Sequence, residues 1–297
     1  MLFHRFQGPL LAVCATFLSL VSPLLCAAEN APAAPERPPF FAVCMDTHDS
    51  KKRNLDQQHE LLASLGYDGM KHLGLKNLAA RVASAERHKL RVVMVYWSVN
   101  VSAKRPVPPD LAQTLECLKG KGTMLALNLE GGKPSDAAFD AKAADVIREV
   151  LKITGPLGVR VVLYPHYRSL VETVADCVRV AQPFTPEQVG VVFNLCHWGA
   201  VESKTTDLSS VIKLARPRLA AVITNGMDKP EEMRKSQADM FKRWIQPLDS
   251  GSFDQRQLFE ALDAAGWRGP VGVQSFGIRG DAQVYLTRSI KKWRELR

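Results

Sequence analysis

Eight short apolar segments recur along the chain, and segments with helical patterning separate them. Most of the eight are continuous runs rich in β-branched residues, which is typical of parallel strands buried on both faces. The predicted strands are Phe40–Met45, Gly69–Leu73, Leu90–Trp97, Thr123–Leu129, Val159–Tyr164, Val189–Leu195, Leu219–Ile223 and Pro270–Val273. Apolar residues at helical spacing predict helices between them, among them Leu55–Leu65, Ala138–Leu151 and Phe253–Ala265.

The number and order of these elements predict the fold. Eight strands that alternate with helices over about 250 residues match the size of a (β/α)₈ barrel. An open, doubly wound sheet is the alternative, but no glycine-rich phosphate loop follows the first strand. We therefore predict an α/β protein with a single (β/α)₈ TIM barrel domain over residues 40–297.

The N-terminus has the pattern of a secretion signal. Residues 10–25 are apolar, interrupted by small polar residues and Pro23, and residues 26–28 (CAA) supply the small side chains of a cleavage site. A membrane anchor requires roughly 20 uninterrupted apolar residues, so these breaks favour cleavage. We predict a signal peptide at residues 1–28 and a Pro/Ala-rich linker at 29–39. The mature protein would be periplasmic or otherwise exported, with no stable membrane span.

The charge pattern indicates which classes of binding partner are favoured, and the cysteine spacing bears on disulfides and metal sites. The formal net charge is +9, but the basic residues are scattered and do not alternate with a stacking motif. A solvated basic surface is therefore favoured over a nucleic-acid site, and export also argues against nucleic acid. The four cysteines of the predicted mature chain fit no disulfide framework and no metal motif, and their pairing stays open: Cys44, Cys117, Cys177 and Cys196.

The barrel prediction indicates where chemistry occurs, because active sites of this fold lie at the C-terminal ends of the strands. Polar and aromatic residues collect at those ends: Asp46, His48, Lys71, His72, Trp97, Asn100, Glu130, Tyr164, His166, Glu172, Asn194, His197, Asn225, Asp228 and Gln274. A polar mouth of mixed charge with aromatic faces is typical of carbohydrate sites. The predicted partner is therefore a small-molecule carbohydrate.

Four segments resemble the sugar isomerase/epimerase (xylose-isomerase-like) superfamily. They match its second, fifth, sixth and final strands, in that order: LGYDGMK ending at Lys71, LYPH ending at His166, FNLCH ending at His197 and WRGPVGVQ ending at Gln274. The combination of YPHY, NLCHW and IQPLDSGSFD is similar to a branch often found in exported bacterial proteins. The resemblance implies a barrel that isomerises or epimerises a small keto sugar.

The sequence departs from this superfamily at its metal ligands. In metal-dependent members a Glu, an Asp, a His and a Glu hold one divalent ion. The matching positions here are Tyr164, Asn194, Thr224 or Asn225, and Gln274. Neutral oxygens hold a hard divalent cation poorly, whereas they hydrogen-bond sugar hydroxyls well. The resemblance therefore implies no cofactor and no metal at this position.

Enolisation next to a carbonyl needs a base and a positive group at the developing oxyanion. Glu130 or a histidine is the predicted base, while Lys71 and the other histidine would replace the metal. The predicted catalytic residues are thus Glu130, His166, His197 and Lys71. The predicted substrate-binding residues are Tyr164, Asn194, Trp198, Asn225, Gln274 and Glu172.

Two alternatives stay open beside this isomerase hypothesis. One is a non-catalytic carbohydrate-binding barrel, motivated by the loss of three ligand carboxylates. The other is a lyase or isomerase with a relocated metal, held by His166, His197, Glu130 or Asp46. The sequence leaves the sugar, the stereochemistry and the oligomeric state open.

Overall fold

The computed structural model describes residues 37–233 and 240–297, and its centre is a closed barrel of eight parallel strands. The strands pair in chain order, and the last one pairs with the first. Their bounds are β1 Phe40–Val43, β2 Gly69–Leu73, β3 Arg91–Asn100, β4 Met124–Glu130, β5 Arg160–Leu163, β6 Val189–Asn194, β7 Leu219–Thr224 and β8 Val271–Gln274. The predicted (β/α)₈ barrel is confirmed.

Helices surround this barrel on the outside. Their bounds are α1 Leu55–Leu65, α2 Leu78–Arg87, α3 Leu111–Leu115, α4 Asp140–Thr154, α5 Val174–Val180, α6 Leu195–Ala200, α7 Leu208–Ala215, α8 Pro230–Met233, α9 Met240–Trp244, α10 Arg256–Ala264 and α11 Ala282–Leu296. The helix α1 has the predicted bounds, and its capping residues explain them. Asn54 and Gln57 form a capping box at its start, and Gly66 ends it with a left-handed φ of 83°.

Several predicted bounds differ from the observed ones by one to three residues, for example at β3 and α10. The strand β3 runs three residues beyond Trp97, because it stays paired with β4 up to the Asn100–Glu130 pair. Glu130 is therefore the last residue of a strand and not part of a loop. The helix predicted from Phe253 begins only at Arg256, whose backbone N–H is accepted by the carboxylate of Asp254.

The alternation of side chains along the strands separates two cores. An outer core fills the space between strands and helices, and a smaller inner core fills the barrel. The inner core includes Phe41, Val43, Met94, Met124, Ala126, Val162, Val192, Ala221 and Ile223. Successive residues of a strand face opposite sides, so every second residue continues this interior towards the C-terminal end. At that end the interior turns polar, which places the candidate site.

Several predictions concern residues or properties outside the barrel core. The predicted signal peptide lies outside the described residues, as does most of the predicted linker. Within residues 37–233 and 240–297, no helix is both long and apolar enough to cross a membrane. All four cysteines of this region are free thiols.

Candidate functional site

Lys71 is the most unusual charged residue of the barrel interior. It is only 5% exposed, and it is the central residue of the five-residue strand β2. Its Nζ atom lies 4.5 Å from the ring centroid of Tyr96 and 4.8 Å from that of Tyr164. Among the described residues, Nζ has neither a hydrogen bond nor a carboxylate partner. Burial lowers the pKa of Lys71 from its ordinary value, because a buried ammonium loses its hydration.

Tyr164 and Asn194 form the polar layer beside this lysine. The side-chain amide of Asn194 donates to the Tyr164 hydroxyl at 2.5 Å. Asn194 ends β6 and also caps α6, since its Oδ1 accepts the backbone N–H of Cys196 at 3.1 Å. Burial raises the pKa of Tyr164 well above its ordinary range, so the phenol is neutral. The amide and the phenol are therefore fixed, uncharged hydrogen-bonding groups.

His166 and His197 come together at the same end of the barrel. Their ring centroids are 4.3 Å apart, and the His197 ring lies 6.1 Å from that of Tyr164. Burial lowers the pKa of both imidazoles, and in each case the charge of Lys71 contributes. Both rings are consequently neutral near pH 7, which makes them acceptors or donors of a single proton.

The backbone of Tyr167 assigns different tautomers to the two rings. Its carbonyl oxygen lies 3.0 Å from His166 Nδ1, so this nitrogen donates and His166 Nε2 is left as an acceptor. Its N–H donates to His197 Nδ1 at 3.4 Å, so the proton of neutral His197 is on Nε2. One residue thus prepares a base in one ring and a hydrogen-bond donor in the other.

Glu130 and Gln274 complete the predicted residues of the mouth. Glu130 is half-buried, and its Oε1 accepts the side-chain N–H of Asn128 at 2.8 Å. Its negative charge acts on both His166 and Tyr96. Gln274 is 5% exposed at the end of β8, directly opposite Val43 of β1. Its Oε1 accepts a long 3.4 Å bond from the backbone N–H of Phe276.

Three of the predicted substrate-binding residues are engaged elsewhere. Trp198 packs edge-on to Phe253 and its indole N–H donates to the Thr206 carbonyl, beside a separate cavity of about 720 Å³ outside the barrel. Asn225 donates its amide protons to the backbone carbonyls of Gly226 and of Trp244, the last residue of α9. Glu172 accepts the backbone N–H of Arg168 at 2.7 Å.

The position of Trp198 departs from the expectation for a physical reason. The helix α6 begins directly after β6, and neighbouring residues of a helix point about 100° apart. When His197 turns towards Tyr164, the next side chain must turn away from the barrel axis. Trp198 is therefore not part of the cluster around Lys71.

Sequence reasoning missed Tyr96, Asn128 and Tyr167. Tyr96 and Asn128 share the inward side of their strands with Met94 and Met124, so strict alternation was the available signal. Trp97 was predicted at the mouth because it ends the predicted third strand, but its side chain packs into the outer core. Tyr167 acts through its backbone, for which the sequence carries no signal.

The donors at the superfamily's metal position do not suit a divalent cation. Tyr164 is a neutral phenol, and Asn194 already uses its oxygen for the backbone of Cys196. Lys71 adds a positive charge beside them, which opposes cation binding. Within the described parts of the chain, no group of three or more His, Cys, Asp or Glu residues is placed to hold a metal ion.

Comparison with solved structures shows the same fold in proteins of several activities. D-allulose 3-epimerase from Methylomonas sp., in complex with D-allulose, is 14% identical with a TM-score of 0.68, over 89% of this chain and 98% of that one. 3-Keto-D-glucoside 4-epimerase from E. coli is 15% identical with a TM-score of 0.64, over 87% and 99%. An AP endonuclease of family 2 from Brucella melitensis is 16% identical with a TM-score of 0.59, over 84% and 96%.

At such low identity these structures show the fold and not the activity. No curated protein matches the sequence. A model of the xylose isomerase-like TIM barrel family, in contrast, matches residues 59–296, which is most of the chain. The chain belongs to the xylose isomerase-like TIM barrel family.

Proposed function

We propose that this protein is an exported isomerase or epimerase that moves a proton next to the carbonyl of a small keto sugar. The reaction would take place at the barrel mouth without a divalent metal at the family's position. One observation carries the proposal: the cation of Lys71, unpaired among the described residues, lies beside Tyr164. The neutral His197 lies beside the same ring, and His166, of the opposite tautomer, packs against His197.

The cluster supplies the two things that enolisation requires. A base must remove the proton on the carbon next to the carbonyl, and a donor or a cation must stabilise the oxyanion that forms. His166 Nε2 carries a free lone pair, while His197 Nε2–H and Lys71 are donors. Lys71 and His197 would thus take the place of the metal at the sugar oxygen.

Epimerisation also needs a second group that returns the proton from the other face. Glu130 is the carboxylate of the mouth, and it comes from β4 whereas His166 follows β5. Its bond to Asn128 holds the carboxylate in place. We assign the two proton-transfer roles to Glu130 and His166, and we assign hydrogen bonding of sugar hydroxyls to Asn194 and Gln274.

The two alternatives make different demands on the same residues. A relocated metal would need an acid beside the two histidines, but Asp46 is paired with Arg81 at 2.8 Å and Glu130 is bound by Asn128 at 2.8 Å. Among the described residues, no three or more His, Cys, Asp or Glu side chains, Glu130 included, are placed together to hold an ion. A pure binding protein would not need His166 and His197 held in opposite tautomers. Both arguments favour the isomerase.

A product assay with matched variants tests the proposal. Purified protein treated with a chelator is incubated with D-allulose, D-fructose, D-tagatose and a 3-keto-glucoside, and new sugars are detected by chromatography. We expect conversion of at least one ketose and a loss of about 100-fold or more in His166→Asn. The variant His88→Asn, at a histidine that binds Asp56 outside the barrel mouth, is the control. Binding of a sugar without any conversion would favour the carbohydrate-binding alternative.

A further inference from the structure

We propose that Lys71 acts on the ketone covalently, by forming an imine with its carbonyl carbon. The inference rests on the proposed function and specifies how the positive charge reaches the substrate. The juxtaposition that carries it is a buried lysine with no hydrogen-bond or carboxylate partner among the described residues, between two aromatic faces and beside a histidine pair. Such a lysine is placed as a nucleophile rather than as part of an ion pair.

Two other shielded cations of this barrel, Arg53 and Arg81, are bound to carboxylates. The Arg53 guanidinium contacts Asp49 at 2.9 Å and Asp281 at 2.7 Å. Arg81 is paired with Asp46 at 2.8 Å and with the Gln58 amide oxygen at 2.6 Å. These contacts explain how an arginine remains charged in a poorly hydrated place.

Lys71 has no comparable partner within the described residues. The faces of Tyr96 and Tyr164 contact its ammonium group, and two such contacts compensate lost hydration only partly. Its Nζ atom is not fully enclosed, although the residue as a whole is 5% exposed. An amine in this position is available as a nucleophile, and the two rings restrict its direction of approach.

The chemistry balances without an oxidant or a reductant. The Nζ lone pair forms a bond to the ketone carbon, and the carbonyl π pair moves to the oxygen, which takes a proton from His197 Nε2. The Nζ atom, now positively charged, returns one of its two protons to His197, which gives a neutral carbinolamine and a neutral imidazole. Loss of this oxygen as water, with one further proton from solvent, gives a protonated imine. The carbon next to it then loses its proton to His166 Nε2, and the bond electrons neutralise the imine as an enamine. Protonation from the other face and attack by water release the epimer and return the consumed proton.

The imine would replace the metal more completely than a neighbouring ammonium does. A protonated imine carries its positive charge in the same π system as the carbanion that develops. A cation held at hydrogen-bond distance only polarises the oxygen from outside. An arginine at position 71 would still place a positive charge beside the carbonyl oxygen, but it could not form an imine. The Lys71→Arg variant therefore distinguishes imine formation from polarisation by a neighbouring cation.

Reductive trapping tests the inference directly. The full-length mature protein is incubated with D-allulose, or with dihydroxyacetone, and sodium cyanoborohydride. Intact mass and peptide mapping should show one adduct, equal to the ketose minus water plus two hydrogens, on Lys71. Lys76→Met removes an exposed lysine close in sequence and should leave the adduct unchanged, whereas Lys71→Met should remove it. We expect Lys71→Arg to lose about 100-fold or more in turnover, as Lys71→Met does.

The outcomes separate this inference from the proposed function. Turnover without an adduct, together with a Lys71→Arg variant that keeps activity within about tenfold, would overturn the imine and leave the isomerase in place. Equal labelling of Lys71 and Lys76 would show non-specific glycation and would also overturn it. An adduct confined to Lys71 in the wild-type protein supports the imine even if a variant folds poorly. Absence of turnover together with such an adduct would count against the proposed function alone.

Discussion

Replacing Lys71 by methionine should make the protein more stable and remove its activity. Methionine has a similar unbranched stem and fits an apolar surrounding. A buried cation without a carboxylate costs several kcal/mol of hydration, and each ring contact returns only about 0.5–2 kcal/mol. We therefore expect the free energy of unfolding to rise by about 1–3 kcal/mol in Lys71→Met. A residue that costs stability and is needed for turnover is typical of an active site.

Urea unfolding followed by circular dichroism measures this difference, and Arg53→Met is the matched control. Arg53 is similarly shielded, with 14% of its side chain exposed, but it is paired with the nearly buried Asp49. Its removal leaves that carboxylate unpaired, so we expect a loss of about 3 kcal/mol.

The pH dependence of Lys71→Met gives a further check. Because burial lowers the pKa of Lys71, the unfolded chain binds more protons between the lowered value and 10.5. The stability of the wild-type protein should rise with pH in that range, and the advantage of the variant should shrink. A Lys71→Met protein that is less stable than the wild type by more than about 1 kcal/mol would refute the reasoning.

Four further predictions follow from the structure and the sequence. Burial raises the pKa of Glu202 to about 7, so the folded protein favours the protonated carboxyl group, and this stabilisation is lost as the pH rises from 4.5 through 7. At pH 8, Glu202→Gln should therefore be more stable than the wild type by on the order of 3 kcal/mol, whereas the surface variant Glu149→Gln should match the wild type. Burial lowers the pKa of His166, so its ring should titrate below pH 6.5 when it is followed by NMR, and a midpoint above pH 6.5 would contradict this. Activity should survive treatment with a chelator, and restoration by Mn²⁺ after a loss would show the opposite. Protein recovered from the cell envelope should begin near Glu29, as N-terminal sequencing would show; an intact N-terminus would contradict the signal prediction.

The fold was predictable because each buried strand is a distinct apolar run. All eight predicted strands correspond to observed ones, and β2 has the predicted bounds, Gly69–Leu73. Strand ends were less predictable, since β3 continues through polar residues as long as β4 pairs with it. Position in the chain therefore indicated which residues end near the mouth, but it did not give their side-chain directions.

The site was predictable only in part. Lys71, His166 and His197 follow from the rule that active residues lie at the C-terminal ends of the strands. The structure brings Lys71 and His197 close to Tyr164, and His166 close to His197. Trp198 shares a motif with His197, but a helix that begins at once turns it to the outside. The tautomers of the two histidines depend on the backbone of Tyr167, and a sequence pattern contains no information about such a contact.

Hydrogen exchange with solvent at the substrate tests the central claim most directly. The protein is treated with a chelator and incubated in D₂O with D-allulose, D-fructose, D-tagatose and a 3-keto-glucoside, and the sugars are followed by proton NMR. The account predicts that the hydrogen next to the carbonyl of at least one ketose is replaced by deuterium, and that Lys71→Met and His166→Asn abolish this exchange. Absence of exchange with every ketose, or exchange that requires added Mn²⁺, would contradict proton transfer by Lys71 and the histidines without a metal.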